Sequence, residues 1–287
     1  MEEFQPKVFL LGAQKAGTTQ LASYLEQHPD ICLATPKEPD YFTQHWNKGL
    51  VWYGNVFADH TKCLIDASTS YSCATLPKYF AKDVGAKSAY SGIAERIYET
   101  SPDAKFIYIM RDPVQRAYSA YLHQIRAGLQ NKTFAQSLLK STYYMRTSHY
   151  AGQLELYLNY YPLSQFKFVF FEDLIQNPYS VVSDCFTFLG LDAKISLHQD
   201  VSQNKSFVYK GRWQNINRLL RETGGMNQTI KKIKPFVPDW MVHKIAGNMI
   251  KKPEPIPKQE QARLTEFFQE ANSQLKTLTG LARLPWE

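Results

Sequence analysis

The string GAQKAGTT runs from Gly12 to Thr19, and in it Lys15 supplies a mobile cation and Thr18 and Thr19 supply hydroxyls. Glycines let a backbone approach a phosphate closely, and the first N–H groups of a following helix point at it. The string follows an apolar, strand-like run (Val8, Phe9, Leu10, Leu11) and opens into a helix-like one (Leu21, Tyr24, Leu25). Gln14, Lys15, Ala16, Gly17, Thr18 and Thr19 are therefore candidates for holding an anion. A kinase-type loop reads GxxxxGK[ST], with lysine directly after the second glycine. Gly12 and Gly17 keep that spacing, but the lysine sits inside the loop at position 15.

A second segment, FIYIMRDPVQRAYSAY from Phe106 to Tyr121, pairs a buried strand with Arg111 and then a helix opened by Asp112 and Pro113. Proline suits a first helical turn, where its missing N–H costs nothing. Arg111 at a strand end and Ser119 on the next helix can grip one phosphate from two sides, because arginine presents a planar fork of donors. The plainer reading is a surface arginine capped by Asp112. His123 follows Ser119 at i+4 spacing and shares its helix face.

Together these segments resemble the sulfotransferases that use 3′-phosphoadenosine 5′-phosphosulfate (PAPS). GAQKAGTT resembles that family's 5′-phosphosulfate loop, and RDPVQRAYSAY its 3′-phosphate segment. Lys210, Gly211 and Arg212 resemble the basic loop that closes over the 3′-phosphate. KEPDYF, Lys37 to Phe42, resembles the acidic segment of the heparan-sulfate-type branch, in which a glutamate is the proposed base. The likeness runs from about Lys7 to Trp286. It implies PAPS as cosubstrate, adenosine 3′,5′-diphosphate as product, no metal, Lys15 on the leaving oxygen and Glu38 as base. Histidine is the base in the family's cytosolic branch, which keeps His123 as a rival, with His45 and His149 behind it. One departure stands out: Ala67, in IDASTSY, occupies a place where many heparan-sulfate-type enzymes have lysine. A small soluble acceptor, such as a secondary metabolite, is accordingly preferred, with a carbohydrate as the alternative. A magnesium-dependent P-loop kinase and a non-catalytic nucleotide-binding module are the remaining readings.

Positioning these residues requires strands that end at Lys15 and Arg111. Strand-like runs occur at Val8–Leu11, Ile31–Leu33, Cys63–Ile65, Phe106–Met110 and Phe166–Phe171. Helical patterns lie between them at Thr18–Gln27, Ile93–Thr100, Pro113–Ala127, Ala151–Tyr160 and Ser180–Leu189. This alternation predicts a single α/β domain over residues 1–287, with a P-loop-like parallel sheet covered by helices on both faces. An amphipathic helix over Gln259–Leu278 forms a helical C-terminal extension. The 287 residues are 44% hydrophobic and 14% aromatic, ample for a packed core.

A net charge of +7 fits a binder of polyanions, including a nucleotide with several phosphates. The densest basic cluster is Lys231, Lys232 and Lys234, which argues against nucleic acid. No window approaches the roughly 20 apolar residues of a membrane span. The start, MEEFQPKVFLL, lacks the basic opening of a signal peptide. Cys32, Cys63, Cys73 and Cys185 have no metal-ligand spacing and read as reduced thiols. A cytoplasmic protein is the expectation from these features.

Overall fold

Five apolar runs become five strands in the computed structural model, which describes residues 6–85, 88–198, 208–209, 250–251 and 253–287. They are β1 (Val8–Gly12), β2 (Ile31–Leu33), β3 (Cys63–Asp66), β4 (Lys105–Met110) and β5 (Phe166–Phe170). All pair in parallel in the order β2-β3-β1-β4-β5. Every residue of β1 is buried, as are the last five of β4. Strands covered on both faces read as continuous apolar runs, which is why these two stand out in sequence.

The helices are α1 (Thr18–Leu25), α2 (Gly49–Gly54), α3 (Ile93–Thr100), α4 (Pro113–Arg126), α5 (Phe134–Lys140), α6 (Tyr143–Arg146), α7 (Tyr150–Leu158), α8 (Phe171–Gln176) and α9 (Pro178–Leu189). A C-terminal helix, Lys258–Thr279, buries Leu264, Phe268, Ala271 and Leu275 along one stripe, as its periodicity predicts. α9 begins two residues earlier than expected, because Asn177 caps the Ser180 N–H and Pro178 fills the first turn. α2, α5, α6 and α8 were not anticipated. At four to seven residues each they are too short to show a helical period.

The chain divides into two compact units. The first comprises Met1–Ala117, Thr142–Gln203 and Arg263–Glu287, and contains the five-stranded sheet. The second comprises Tyr118–Ser141 and Asn204–Ala262, so α4 begins in one and ends in the other. Within the second unit the Tyr118 ring lies 5.1 Å from that of Phe134, and its hydroxyl donates to the Glu254 carbonyl at 2.9 Å. Its two short strands, β6 (Val208–Tyr209) and β7 (Ile250–Lys251), pair antiparallel.

The strand order fixes where a ligand can sit in the first unit. From β1 the chain runs by α1 towards β2 and β3, whereas β4 continues to β5 on the other side. β1 and β4 therefore flank a topological switch point, and ligands of open α/β sheets bind at the carboxyl ends of such strands. The register between these two strands slips between Leu10 and Gly12, just where the glycine-rich loop departs.

Candidate active site

The loop from Gly12 to Thr19 leaves the end of β1 with Gly12 at φ 116° and Gly17 at φ 94°. A Cβ on Gly12 would stand 2.6 Å from the Ser72 hydroxyl, and one on Gly17 2.7 Å from the Phe171 ring. Both positions thus demand glycine twice over, by backbone conformation and by contact. Gly17→Ala is expected to cost about 1–2 kcal/mol from the left-handed backbone alone, read as a lower thermal midpoint.

Gly17 caps α1 without a side chain. Leu21 is the first residue of the turn whose N–H is taken within it, by the Gly17 carbonyl at 3.0 Å. The N–H groups of Gly17, Thr18, Thr19 and Gln20 have no acceptor among the described residues. Four donors at the positive end of a helix, opening from a tight loop, form an anion cradle. Thr18 is buried, Thr19 exposed, and Lys15 half-buried with φ 71°.

Arg111 follows β4 directly. Its guanidinium lies 4.6 Å from the centre of the Phe171 ring, and Nη1 donates to the Lys15 carbonyl at 3.4 Å. Its backbone is tied to Tyr150, whose hydroxyl donates to the Arg111 carbonyl at 2.7 Å. Burial presses the guanidinium below its ordinary pKa, with Glu172 the first group acting the other way. Glu172 accepts the Asp112 N–H at 3.1 Å, and burial raises its own pKa. Arg111 and the Gly12–Thr19 loop, 96 residues apart in sequence at the Lys15 contact, are therefore brought together. Ser119 is half-buried on α4, within the second unit. Lys210, Gly211 and Arg212 lie outside the described residues.

Glu38 is tied to the segment that follows β3. Its Oε2 accepts the Thr69 hydroxyl at 2.8 Å and the Thr69 N–H at 3.4 Å, while Oε1 pairs with Lys37 Nζ at 2.9 Å. The Thr69 carbonyl oxygen in turn lies 3.4 Å from where a Gly12 Cβ would stand. One residue, Thr69, thus binds the acidic segment and lies beside the start of the phosphate-loop candidate. The turn is held from below by Asp66, fully buried at the end of β3. Its carboxylate accepts from the Tyr53 and Tyr71 hydroxyls at 2.6 and 2.7 Å, and from the Ser68 hydroxyl and N–H at 2.6 and 2.9 Å. Burial still pushes its pKa up to about 6, the hydrogen bonds opposing. Asp40, at φ 52°, accepts the Ser70 hydroxyl at 2.6 Å, and burial raises its pKa against that bond.

Lys37 Nζ also reaches the Ala67 carbonyl at 3.5 Å. A cation therefore stands beside Ala67 although no lysine occupies that position, supplied by the facing segment.

The histidines separate. His149 is buried, its Nδ1 accepts the Gly152 N–H at 3.1 Å, and burial lowers its pKa, which fits a helix cap. The His45 ring packs 5.2 Å from Trp52. His123 lies on α4 in the second unit, its Nδ1 3.0 Å from Arg126 Nη2.

Among the residues sequence reasoning left unassigned are Arg116, Thr69, Tyr143 and Phe171. Arg116 lay inside the quoted RDPVQRAYSAY string, and Phe171 stands at a strand's carboxyl end, the same signal that marks Arg111. Thr69 carried no signal, since only the fold brings it to Glu38. The four cysteines are free, Cys73 and Cys185 buried, and burial raises the Cys63 thiol to about 11 and Cys185 to about 12. No group of three or more metal-ligating side chains gathers among the described residues, and no helix there is long and apolar enough to cross a membrane.

A parallel α/β sheet with helix N–H groups open after its central strand and an arginine after the neighbouring one offers a geometry suited to a phosphate group. The chain matches the family described as "Sulfotransferase domain" over residues 5–266, a span that includes parts of both compact units. It belongs to that family of PAPS-dependent sulfotransferases, in its heparan-sulfate-type branch. It is 30% identical over 257 residues to "Heparan sulfate glucosamine 3-O-sulfotransferase 6" of Mus musculus, covering 84% of this chain and 67% of that one. It is 27% identical over 245 residues to "Bifunctional heparan sulfate N-deacetylase/N-sulfotransferase" of Drosophila melanogaster, covering 77% of this chain and 23% of that one. The match to mouse "Heparan sulfate glucosamine 3-O-sulfotransferase 3B1" spans half of that protein's length. In fold, the chain resembles a crystal structure of a sulfotransferase from Alicyclobacillus acidocaldarius, with TM-score 0.66, 24% identity and 96% of each chain covered.

Proposed function

We propose that the protein transfers the sulfuryl group of PAPS to a sugar hydroxyl, with Glu38 as general base. The observation that carries this reading is the placement of Thr69, which binds the Glu38 carboxylate while its carbonyl lies beside Gly12. It ties the base candidate to the start of the loop that would hold the phosphosulfate. The carbohydrate acceptor is supported by the mouse and fly relatives, whose names specify heparan sulfate. A hydroxyl rather than an amine is preferred because the 3-O-sulfotransferase match covers more of both chains.

In the transfer, the acceptor oxygen attacks sulfur as the bond from sulfur to the bridging oxygen breaks, roughly in line. The acceptor proton passes to Glu38, and the bridging oxygen keeps the electron pair and leaves with adenosine 3′,5′-diphosphate. Lys15 and the open N–H groups from Gly17 onward would neutralise the charge growing on that oxygen. Arg111, at the end of β4, would hold the 3′-phosphate.

Labelled PAPS offered with heparan-type oligosaccharides and with small phenols and alcohols tests the reading. Label is expected on the oligosaccharide hydroxyls. Label only on small alcohols would favour the second reading, a small soluble acceptor, which Ala67 in place of a lysine supports. No transfer to any acceptor would sink both. The 3′-phosphate assignment has its own check. Arg111→Ala is expected to weaken adenosine 3′,5′-diphosphate about ten- to hundredfold, since a charged hydrogen bond is worth roughly 1.5–3 kcal/mol, and adenosine 5′-monophosphate clearly less, through the lost contact with the Lys15 carbonyl alone. Calorimetry with the two nucleotides decides, and equal losses would reassign the residue.

A further inference from the structure

Arg116 is wholly buried, yet each of its three nitrogens donates to a neutral oxygen. Nε donates to the Ser148 hydroxyl at 2.5 Å, Nη2 to the Tyr144 carbonyl at 2.5 Å, and Nη1 to the Gln14 carbonyl at 3.3 Å. Ser148 is oriented for this, because its own proton goes to the Pro113 carbonyl at 2.8 Å. No carboxylate pairs with the guanidinium among the described residues. A buried charge without a counter-charge is costly, and hydrogen bonds to neutral oxygens offset that only in part. Its hydrogen bond to the phosphate-loop candidate goes to the Gln14 carbonyl, one peptide before Lys15.

The neighbouring contacts point the same way. The Gln14 side chain is tied too, its Oε1 accepting the Tyr143 hydroxyl at 2.5 Å. The next carbonyl, that of Lys15, is held by Arg111. Two successive loop carbonyls are thus each engaged by a guanidinium. A peptide is planar, so fixing the Gln14 carbonyl fixes the plane of the Gln14–Lys15 bond and the point from which the Lys15 side chain departs.

We propose that Arg116 is a positioning residue for the 5′-phosphosulfate: it sets the Gln14–Lys15 peptide and its buried charge is complemented by the bound anion. This rests on the phosphate-loop reading above. In the transfer it touches neither substrate nor reacting atom. It acts through the loop, and the anion completes a charge balance that the protein leaves open. Arginine is needed rather than lysine because three acceptors in three directions match the guanidinium fork, not a point charge.

The test compares adenosine 5′-monophosphate with adenosine 3′-monophosphate by calorimetry in wild type, Arg116→Lys and Ser148→Ala, with kcat and KM for PAPS measured alongside. Arg116→Lys is expected to weaken the 5′-nucleotide about ten- to hundredfold, lower kcat, and leave the 3′-nucleotide unchanged. A merely structural role would lower the thermal midpoint without telling the two nucleotides apart. Equal losses for both, or wild-type kcat and 5′ affinity in a folded Arg116→Lys, would overturn the proposal. If Arg116→Lys does not fold, Ser148→Ala is expected to show the same 5′ selectivity at smaller size, and its absence overturns the proposal equally. Wild-type protein that neither binds the 5′-nucleotide nor turns over PAPS would overturn the loop reading itself. An active wild type with unaffected variants would overturn only the role of Arg116.

Discussion

Glu38→Gln is expected to keep adenosine 3′,5′-diphosphate binding and to lose about 10²–10⁴ in turnover, the usual cost of removing a general base. The amide oxygen can still accept the Thr69 hydroxyl that Glu38 Oε2 accepts at 2.8 Å, so the side chain keeps its anchor. What disappears is the capacity to take the acceptor's proton. The ion pair with Lys37 also goes, but both side chains are partly exposed, at 26% and 37%. Such pairs contribute about 0–1 kcal/mol, too little to unfold a chain of this size. His123→Ala in the same assay tests the rival base. If Glu38→Gln stays active while His123→Ala is dead with nucleotide binding intact, proton removal belongs to the histidine.

The sheet was legible because its central strands are buried on both faces, and Val8–Leu11 and Phe106–Met110 are unbroken apolar runs. Loop and arginine were legible for a related reason. Each sits immediately after such a run, where a parallel sheet offers its carboxyl ends to a ligand. What stayed hidden is what tertiary contact alone creates. Thr69 is an ordinary hydroxyl in sequence, and becomes informative only when β3 lies beside β1 and brings the turn after it against Gly12. In sequence Asp66 is one more polar group of IDASTSY. The structure makes it the buried brace of that turn, with four hydrogen bonds from Tyr53, Tyr71 and Ser68.

Arg116 shows the same limit from the other side. In RDPVQRAYSAY it is one more basic residue on an amphipathic helix, where a solvated arginine is the ordinary outcome. Its burial depends on Ser148 and the Tyr144 carbonyl, which lie 32 and 28 residues away. The cation beside Ala67 is likewise invisible in a linear comparison of positions. Lys37 stands 30 residues from Ala67 in sequence and reaches its carbonyl because the two segments face one another.

Lys15→Ala is expected to lower kcat by about 10²–10³ at saturating PAPS, the cost of deleting one preorganised charge-stabilising group. The loop should survive the change. Lys15 already adopts φ 71°, and alanine meets the same backbone penalty as lysine there. The contact from Arg111 goes to the Lys15 carbonyl, not to its side chain, and is kept in the variant. The substitution therefore removes the ammonium and keeps this backbone contact. Charge on the bridging oxygen grows only as the bond to sulfur breaks, so the loss should fall on kcat more than on nucleotide affinity. Lys15→Arg, which keeps the charge in a different shape, should retain more activity than Lys15→Ala. Near-normal kcat in Lys15→Ala would remove the lysine from the leaving oxygen. A rise in KM with kcat unchanged would make it a ground-state phosphate contact instead.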